Sequence, residues 1–160
     1  MKKILLFIAL AISMLIFPSC KQAEYSSSLT SKELSDALMG QISGSEDYIE
    51  YTDEELSYFD FAKNADADIT VLYSRAAEDV GEIGVIRISK EKAKEMQSAV
   101  ENYLKTQKNE KAAFFKNYAP GELSKLDRAE VRRFGDYIIF TALSSADNQA
   151  VFNKAEEILK

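Results

Sequence analysis

Apolar residues recur at helical spacing in five stretches of the chain and cluster at strand length in four others. Leu34, Leu38 and Ile42 share one helical face and predict a helix over Ser31 to Ile42. Thr30 and Glu33 supply a capping box at its start, and Gly40 and Gly44 mark its end. Thr52 and Glu55 repeat the capping pattern before a short helix from Asp53 to about Phe59. Ile69 to Tyr73 and Ile83 to Ile88 are β-rich, and the turn-like Glu78, Asp79 and Gly81 between them predict a hairpin with a long loop. Ser89 is placed to cap a long helix from Lys90 to about Lys108, with Ala93, Met96, Val100, Tyr103 and Leu104 as its apolar stripe. Pro120 can open a short helix through Leu126, because proline is tolerated in a first turn. Val131 to Phe134 and Tyr137 to Leu143 flank Gly135-Asp136, which suits a two-residue type II′ turn. Tyr137-Ile138-Ile139-Phe140 is apolar on both faces and belongs in the middle of a sheet. Asp147 to Leu159 closes the chain as a helix, with Val151, Phe152, Ala155, Ile158 and Leu159 on one side.

The predicted order is α-α-β-β-α-α-β-β-α. A hairpin followed by a helix occurs twice, at about 68–108 and 130–159, as an architectural echo without clear residue identity. The expectation is one α+β domain over residues 31–160, a mostly antiparallel sheet of about four strands packed by helices, with an N-terminal helical segment.

The first twenty residues follow a different pattern. Lys2-Lys3 precedes fourteen mostly apolar residues, Ile4 to Phe17. That run is shorter than the roughly 20 residues of a membrane span and suits the core of a secretion signal. Phe17-Pro18-Ser19-Cys20 follows and resembles the lipobox of bacterial lipoproteins, with an apolar residue at minus three, a small one at minus one and the obligatory cysteine. Phe17 is bulkier than the usual leucine, and Pro18 is less usual at its position. Ordinary signal peptidase wants small residues at minus three and minus one, and Phe17 is unsuitable for that cut. Residues 1–19 are therefore expected to be a lipoprotein signal. Residues 20–30 would be a lipidated Cys20 and a flexible tether containing Ser26-Ser27-Ser28. The lipobox implies a diacylglyceryl group on the Cys20 sulfur, which attaches the protein to the extracytoplasmic side of a cell membrane. Each buried methylene contributes about 0.8 kcal/mol, and two chains give stable anchoring where one is marginal.

Composition narrows the chemistry. Without Lys2 and Lys3 the chain keeps 26 acidic and 18 basic groups, a balance of -8. That argues against nucleic acid as a partner and against purely electrostatic docking on anionic lipid. One cysteine cannot form an internal disulfide. With no histidine, zinc sites built on His and Cys, Ser-His-Asp triads and Cys-His pairs are excluded.

The remaining motifs are incomplete. Asn64-Ala65-Asp66-Ala67-Asp68 opens like an EF-hand loop, but Ile69 and Arg75 stand where Gly and a bidentate Glu belong; no metal is expected. Ser89-x-x-Lys92 lacks the companion motifs of a serine acyl enzyme, and capping accounts for Ser89. Gly81-Glu82-Ile83-Gly84 has neither nucleotide-loop spacing. Arg128, Arg132 and Arg133 suit a solvated edge strand. Acidic pairs such as Asp53-Glu54-Glu55 and Glu156-Glu157 are ordinary solvated groups unless the fold brings two to a cleft. The most suggestive stretch is Glu46 to Phe61, where Tyr48, Tyr51, Tyr58, Phe59 and Phe61 are interleaved with seven acids. It reads either as packing that locks the N-terminal helices to the sheet or as a binding surface made by Tyr48, Tyr51, Tyr58 and Phe59.

Phe114-Phe115-Lys116-Asn117-Tyr118-Ala119-Pro120, then Leu126, then Gly135-Asp136-Tyr137-Ile138-Ile139-Phe140 and a closing helix resemble a bacterial family known as domain of unknown function 4358. Ile83 to Ile88 and the helix after it resemble that family's earlier half, so the likeness covers most of residues 30–160. The resemblance implies a short lipoprotein and brings no catalytic residues. The expectation is a non-enzymatic, lipid-anchored module without a cofactor that binds an envelope protein, peptide or other envelope component. The alternatives are a carboxylate-dependent envelope hydrolase and a structural subunit of a membrane complex.

Overall fold

Strand Tyr137–Ala142 is buried at every position, which an antiparallel strand shows only when both faces of its sheet are covered. The computed structural model, which describes residues 25–160 apart from Ser27 and Asn64, gives the reason. Helices lie on both sides of one antiparallel sheet. Its strands are β1 (Tyr48–Glu50), β2 (Asp68–Ser74), β3 (Glu82–Arg87), β4 (Glu130–Phe134) and β5 (Tyr137–Ala142), in the spatial order β1-β2-β3-β5-β4. The helices are α1 (Ser31–Met39), α2 (Asp53–Leu56), α3 (Lys90–Tyr118), α4 (Leu123–Asp127) and α5 (Ser145–Leu159). The α+β architecture agrees with expectation, and the sheet has five strands where about four were expected. The extra one is β1, three residues paired with β2 from Tyr48↔Ser74 to Glu50↔Leu72.

Side-chain alternation divides the core. On one face Leu72, Ile83, Val85, Tyr137 and Ile139 pack under α1 and α5, through Leu34, Leu38, Val151, Phe152, Ala155 and Leu159. On the other, Val71, Ile86, Ile138 and Phe140 pack under α3, through Ala93, Met96, Val100 and Leu104, with Leu56 and Phe61 beside them. Each such side chain, moved fully out of water, contributes about 1.5–3 kcal/mol. Gly84 faces Phe140 across the β3–β5 ladder. A Cβ on Gly84 would stand 2.0 Å from the Phe140 ring, so the bare strand is what lets the ring lie flat. Gly135 turns the β4–β5 hairpin with φ +60°, the left-handed conformation required of the first residue in such turns.

Both capping boxes form. Thr30 and Thr52 accept from the backbone of Glu33 and Glu55, and each glutamate reaches back to its threonine N–H. Ser89 takes the N-cap backbone conformation of α3 but makes no side-chain cap bond, so capping explains its position and not its hydroxyl. At α5 the Ser144 hydroxyl accepts from Asp147 N–H, which starts that helix two residues before the expected Asp147. Buried Ser31 fastens α1 to β2: its N–H and hydroxyl donate to Asp68 at 2.8 and 2.6 Å.

Two lengths differ from expectation. Helix α3 has 29 residues, about 43 Å at 1.5 Å per residue, and runs ten residues past the expected end at Lys108 until Ala119-Pro120 stops it. The six residues of β3 span only about 20 Å, so α3 extends well beyond the sheet. Phe115, Val80 and Leu126 form a satellite cluster that ties this extension to α4. At the chain's start, three residues assigned to the tether rest on the domain. Tyr25 meets Phe134 edge-on at 5.6 Å. Ser26 N–H donates to Leu159 C=O at 2.7 Å, and Leu29 C=O accepts from the Tyr137 hydroxyl at 2.5 Å. Among the described residues, no helix is long and apolar enough to cross a membrane.

Candidate functional site

The Thr52–Glu55 box turns the chain so that Leu56 faces inward, and the aromatic residues around it follow. Tyr51 stacks on Tyr73 with ring centroids 4.1 Å apart and meets Phe59 edge-on at 5.1 Å. Phe59 and Phe61 reach Tyr103 of α3 at 5.2 and 5.0 Å, and Phe61 touches Phe140 at 5.7 Å. Tyr48 lies over Gly81, where an added Cβ would stand 2.0 Å from its hydroxyl oxygen. Burial raises the phenol pKa of both Tyr48 and Tyr51 above its ordinary value. Of the four candidate residues, Tyr48, Tyr51 and Phe59 thus serve packing. Tyr58 is 75% exposed and is the one on open surface.

These rings close over a carboxylate. Glu82, at the start of β3, pairs across the sheet with Tyr73 on one side and Ala142 on the other. It is 5% exposed, and its two oxygens lie 2.8 and 3.0 Å from the Tyr103 hydroxyl. A hydroxyl has one hydrogen to give, so this partner stabilises the ionised form only in part. Burial pushes the Glu82 carboxyl up to about 7, against the pull of the Tyr103 hydrogen bond and the Lys111 charge. The loop before it is pinned by a second polar cluster. Asp79 accepts from Gly81 N–H at 2.7 Å and from Lys125 at 2.6 Å, and Lys125 also pairs with Glu122 at 2.9 Å. Burial works against the Asp79 charge, but these donors outweigh it and hold the carboxyl below its ordinary value. A carboxyl that titrates near neutrality can accept or release a proton, yet general acid–base work needs contact with a substrate. Under its aromatic cover Glu82 joins the sheet to α3.

The extension of α3 carries the opposite arrangement. Phe115 is buried, while Phe114 and Tyr118 are 51% and 76% exposed, with ring centroids 4.9 Å apart. The aromatic-Tyr-Ala-Pro segment, the Gly135-Asp136 turn and the apolar β5 that carried the family resemblance now all have places in the fold. The family model for the domain of unknown function DUF4358 matches residues 46–143, more than half of the chain. The chain belongs to this family. In this DUF4358 domain the matched stretch contains all five strands and the whole of α3, and leaves α1 and α5 outside it. No curated protein and no solved structure matches the chain.

Other motifs of the DUF4358 domain are engaged locally. Lys92 pairs with Asp66 at 3.1 Å, and the Asp68 carboxylate is taken by Ser31. Among the described residues, no group of three or more His, Cys, Asp or Glu is placed to hold a metal ion. Arg132 lies over the Phe152 ring at 4.3 Å and pairs with Glu130 at 2.6 Å. Arg133 donates to Gly135 C=O, and Arg128 to Ser124 C=O. Arg128 and Arg132 line an open cleft of about 550 Å³ together with Glu130, Asn148 and Asn153, and Arg133 is not part of that lining. An open cleft of about 530 Å³ lies between α2 and β2, lined among others by Asp53, Leu56, Ser57, Lys63 and Ile69. Cys20 lies outside the described residues.

Sequence reasoning missed Glu82, whose one signal is a charge opening a strand that is apolar from there to Arg87. The Phe114–Pro120 segment, whose rings enter the sequence reading only through the family resemblance, has two of its three aromatic rings exposed.

Proposed function

We propose that this DUF4358 protein is a lipoprotein anchored through diacylglyceryl Cys20 to the extracytoplasmic side of a bacterial cell membrane. Its folded domain is a non-enzymatic module that binds a protein, peptide or other component of the cell envelope. The binding half rests on one observation: Phe114 and Tyr118 stand 51% and 76% exposed on a helix that outruns its sheet. Large rings with open faces are favoured at interfaces and are costly to leave in water without one. The anchoring half rests on Lys2-Lys3, the apolar run to Phe17 and Ser19-Cys20. Tyr25 is seated on the domain, so the five residues after Cys20 bridge at most about 18 Å from membrane to fold. The Gly135 turn, beside Tyr25, then lies nearest the headgroups, and the α3 extension lies toward the opposite end of β3 and β5.

Cys20→Ser tests the anchor. Wild-type protein is expected to incorporate labelled palmitate and sediment with membranes, and the variant to do neither. Equal sedimentation of the variant would defeat the proposal. Crosslinking in intact cells tests the binding half, with Phe114→Ala/Tyr118→Ala as the comparison: adducts of wild type should be lost from the double variant. Turnover of an envelope substrate abolished by Glu82→Gln would instead establish the hydrolase alternative.

A further inference from the structure

The buried stripe of α3 does not stop where the sheet does. Ala93, Met96, Val100 and Leu104 face the core, and the same three- and four-residue steps continue through Gln107 and Lys111 to Phe114 and Tyr118. The last two are exposed because no strand lies beneath them. Residues 105–118 carry four lysines against Glu110 alone, a basic stretch on an acidic chain in which Lys108 is already paired with Asp127 at 2.9 Å. A second stretch has the complementary character. Residues 46–60 carry seven acids and no lysine or arginine, all seven exposed, of which Asp47 and Glu50 pair with Arg75 and Lys32 at 3.7 Å, and present Ile49 at 37% and Tyr58 at 75% exposure. Ile49, Tyr58, Phe114 and Tyr118 are the large apolar or aromatic side chains exposed among the described residues, two from each stretch. Both stretches belong to the α3 side of the sheet. Leu56 and Phe61 share the α3 core cluster, and Ile49 pairs with Tyr73, which pairs with Glu82.

Resting on the binding-module reading, we infer that the partner covering this surface is a second copy of the chain, the α3 extension of each copy lying on the acidic 46–60 stretch of the other. A two-fold axis closes such a pair, buries all four exposed side chains of both copies and sets lysines against carboxylates twice over. Pairing of one extension with the other would instead bring like charges together.

The experiment uses the full-length chain in its own membranes. Asn117→Cys in one tagged copy and Ser57→Cys in a differently tagged copy place thiols beside Tyr118 and Tyr58 and leave the rings intact. Cys20 is the only native cysteine, and the unsubstituted chain controls for it. A short bismaleimide should give a species with both tags, several-fold above a control pair of Asn117→Cys with Ser98→Cys, another exposed position on α3. Phe114→Ala/Tyr118→Ala should lower the yield about tenfold, as removal of anchoring rings does, and high salt should lower it by screening. A yield no higher than the control pair overturns the inference. So does preferential joining of two Asn117→Cys copies, or a yield unaffected by losing the rings. An acidic peptide of another protein, or lipid, would then be the occupant. Palmitate labelling and fractionation with Cys20→Ser are read separately, so a failed dimer and a failed anchor are distinguishable.

Discussion

Glu82→Gln offers a test in which the pH dependence matters more than the absolute stability. The folded protein holds the Glu82 proton up to about pH 7, whereas an ordinary glutamate releases it near 4.5. Between those values the native state binds more protons than the unfolded chain. Unfolding free energy therefore falls as pH rises, from its full value below about 4.5 to a lower plateau above about 7. At 1.36 kcal/mol per pKa unit, the loss attributable to this one group is about 3 kcal/mol. Glutamine does not titrate, and its carbonyl can still accept from Tyr103. Its amide adds buried donors at a cost of about 1–3 kcal/mol, but that cost does not depend on pH. The informative quantity is the difference in stability between variant and wild type, since other titrating groups cancel in it. Urea denaturation followed by far-UV circular dichroism at pH 4.5, 5.5, 6.5 and 8 (roughly the span of the linkage window) should show this difference rising by about 3 kcal/mol in favour of glutamine. A difference flat across the range would mean that Glu82 ionises in the fold as it does in water, and the account of its burial would be wrong. Tyr103→Phe removes the hydrogen bond that favours the ionised form and should move the window to higher pH.

Gly84→Ala should destabilise by about 1–3 kcal/mol in the same denaturation assay, because its methyl meets a Phe140 ring that is fully buried; unchanged stability would contradict the packing of β3 on β5. Thr30→Ala and Thr52→Ala should each cost about 1 kcal/mol, with Thr→Ser at either site nearly neutral. Phe61→Ala should cost about 3–5 kcal/mol, whereas Tyr58→Ala should stay within about 0.5 kcal/mol; reversal of that order in thermal melts would show that the stretch around them packs differently.

What could be read beforehand follows from how locally each signal is encoded. The two capping boxes each lie within four residues, and the Gly135-Asp136 turn within two, so their chemistry was legible. The burial of β5 was legible because both of its faces are apolar. Strand β1 was not: Tyr48-Ile49-Glu50 is too short for alternation to stand out, and it is held by pairing with β2 more than twenty residues away. The length of α3 was hidden because Gln107 and Lys111 interrupt the apolar stripe, so periodicity ends near Lys108 while helix propensity carries the chain to Tyr118. Glu82 was hidden because its meaning depends on Tyr103, 21 residues away on another element. Of the four aromatic candidates, composition could not tell the three that pack from Tyr58, since interleaved acids accompany both.

The interruption that concealed the end of α3 also bears on what the extension does. Gln107 and Lys111 occupy the stripe one and two turns beyond Tyr103 and Leu104, where the helix passes the Tyr73–Glu82–Ala142 row of the sheet. A helix that simply entered solvent there would be expected to turn polar on every face. Instead the stripe resumes with Phe114 and Tyr118, while on the adjoining face Phe115 is anchored to Val80 and Leu126. The anchored ring holds the exposed pair on a fixed helix, so little conformational freedom is lost when a partner covers them. Polar residues at the sheet's edge, followed by rings on a braced extension, suit a surface that stays soluble alone and becomes apolar at its centre once covered. A surface of that kind should lose its partner when the rings are truncated and keep its fold, and separating those two effects distinguishes an interface from a core.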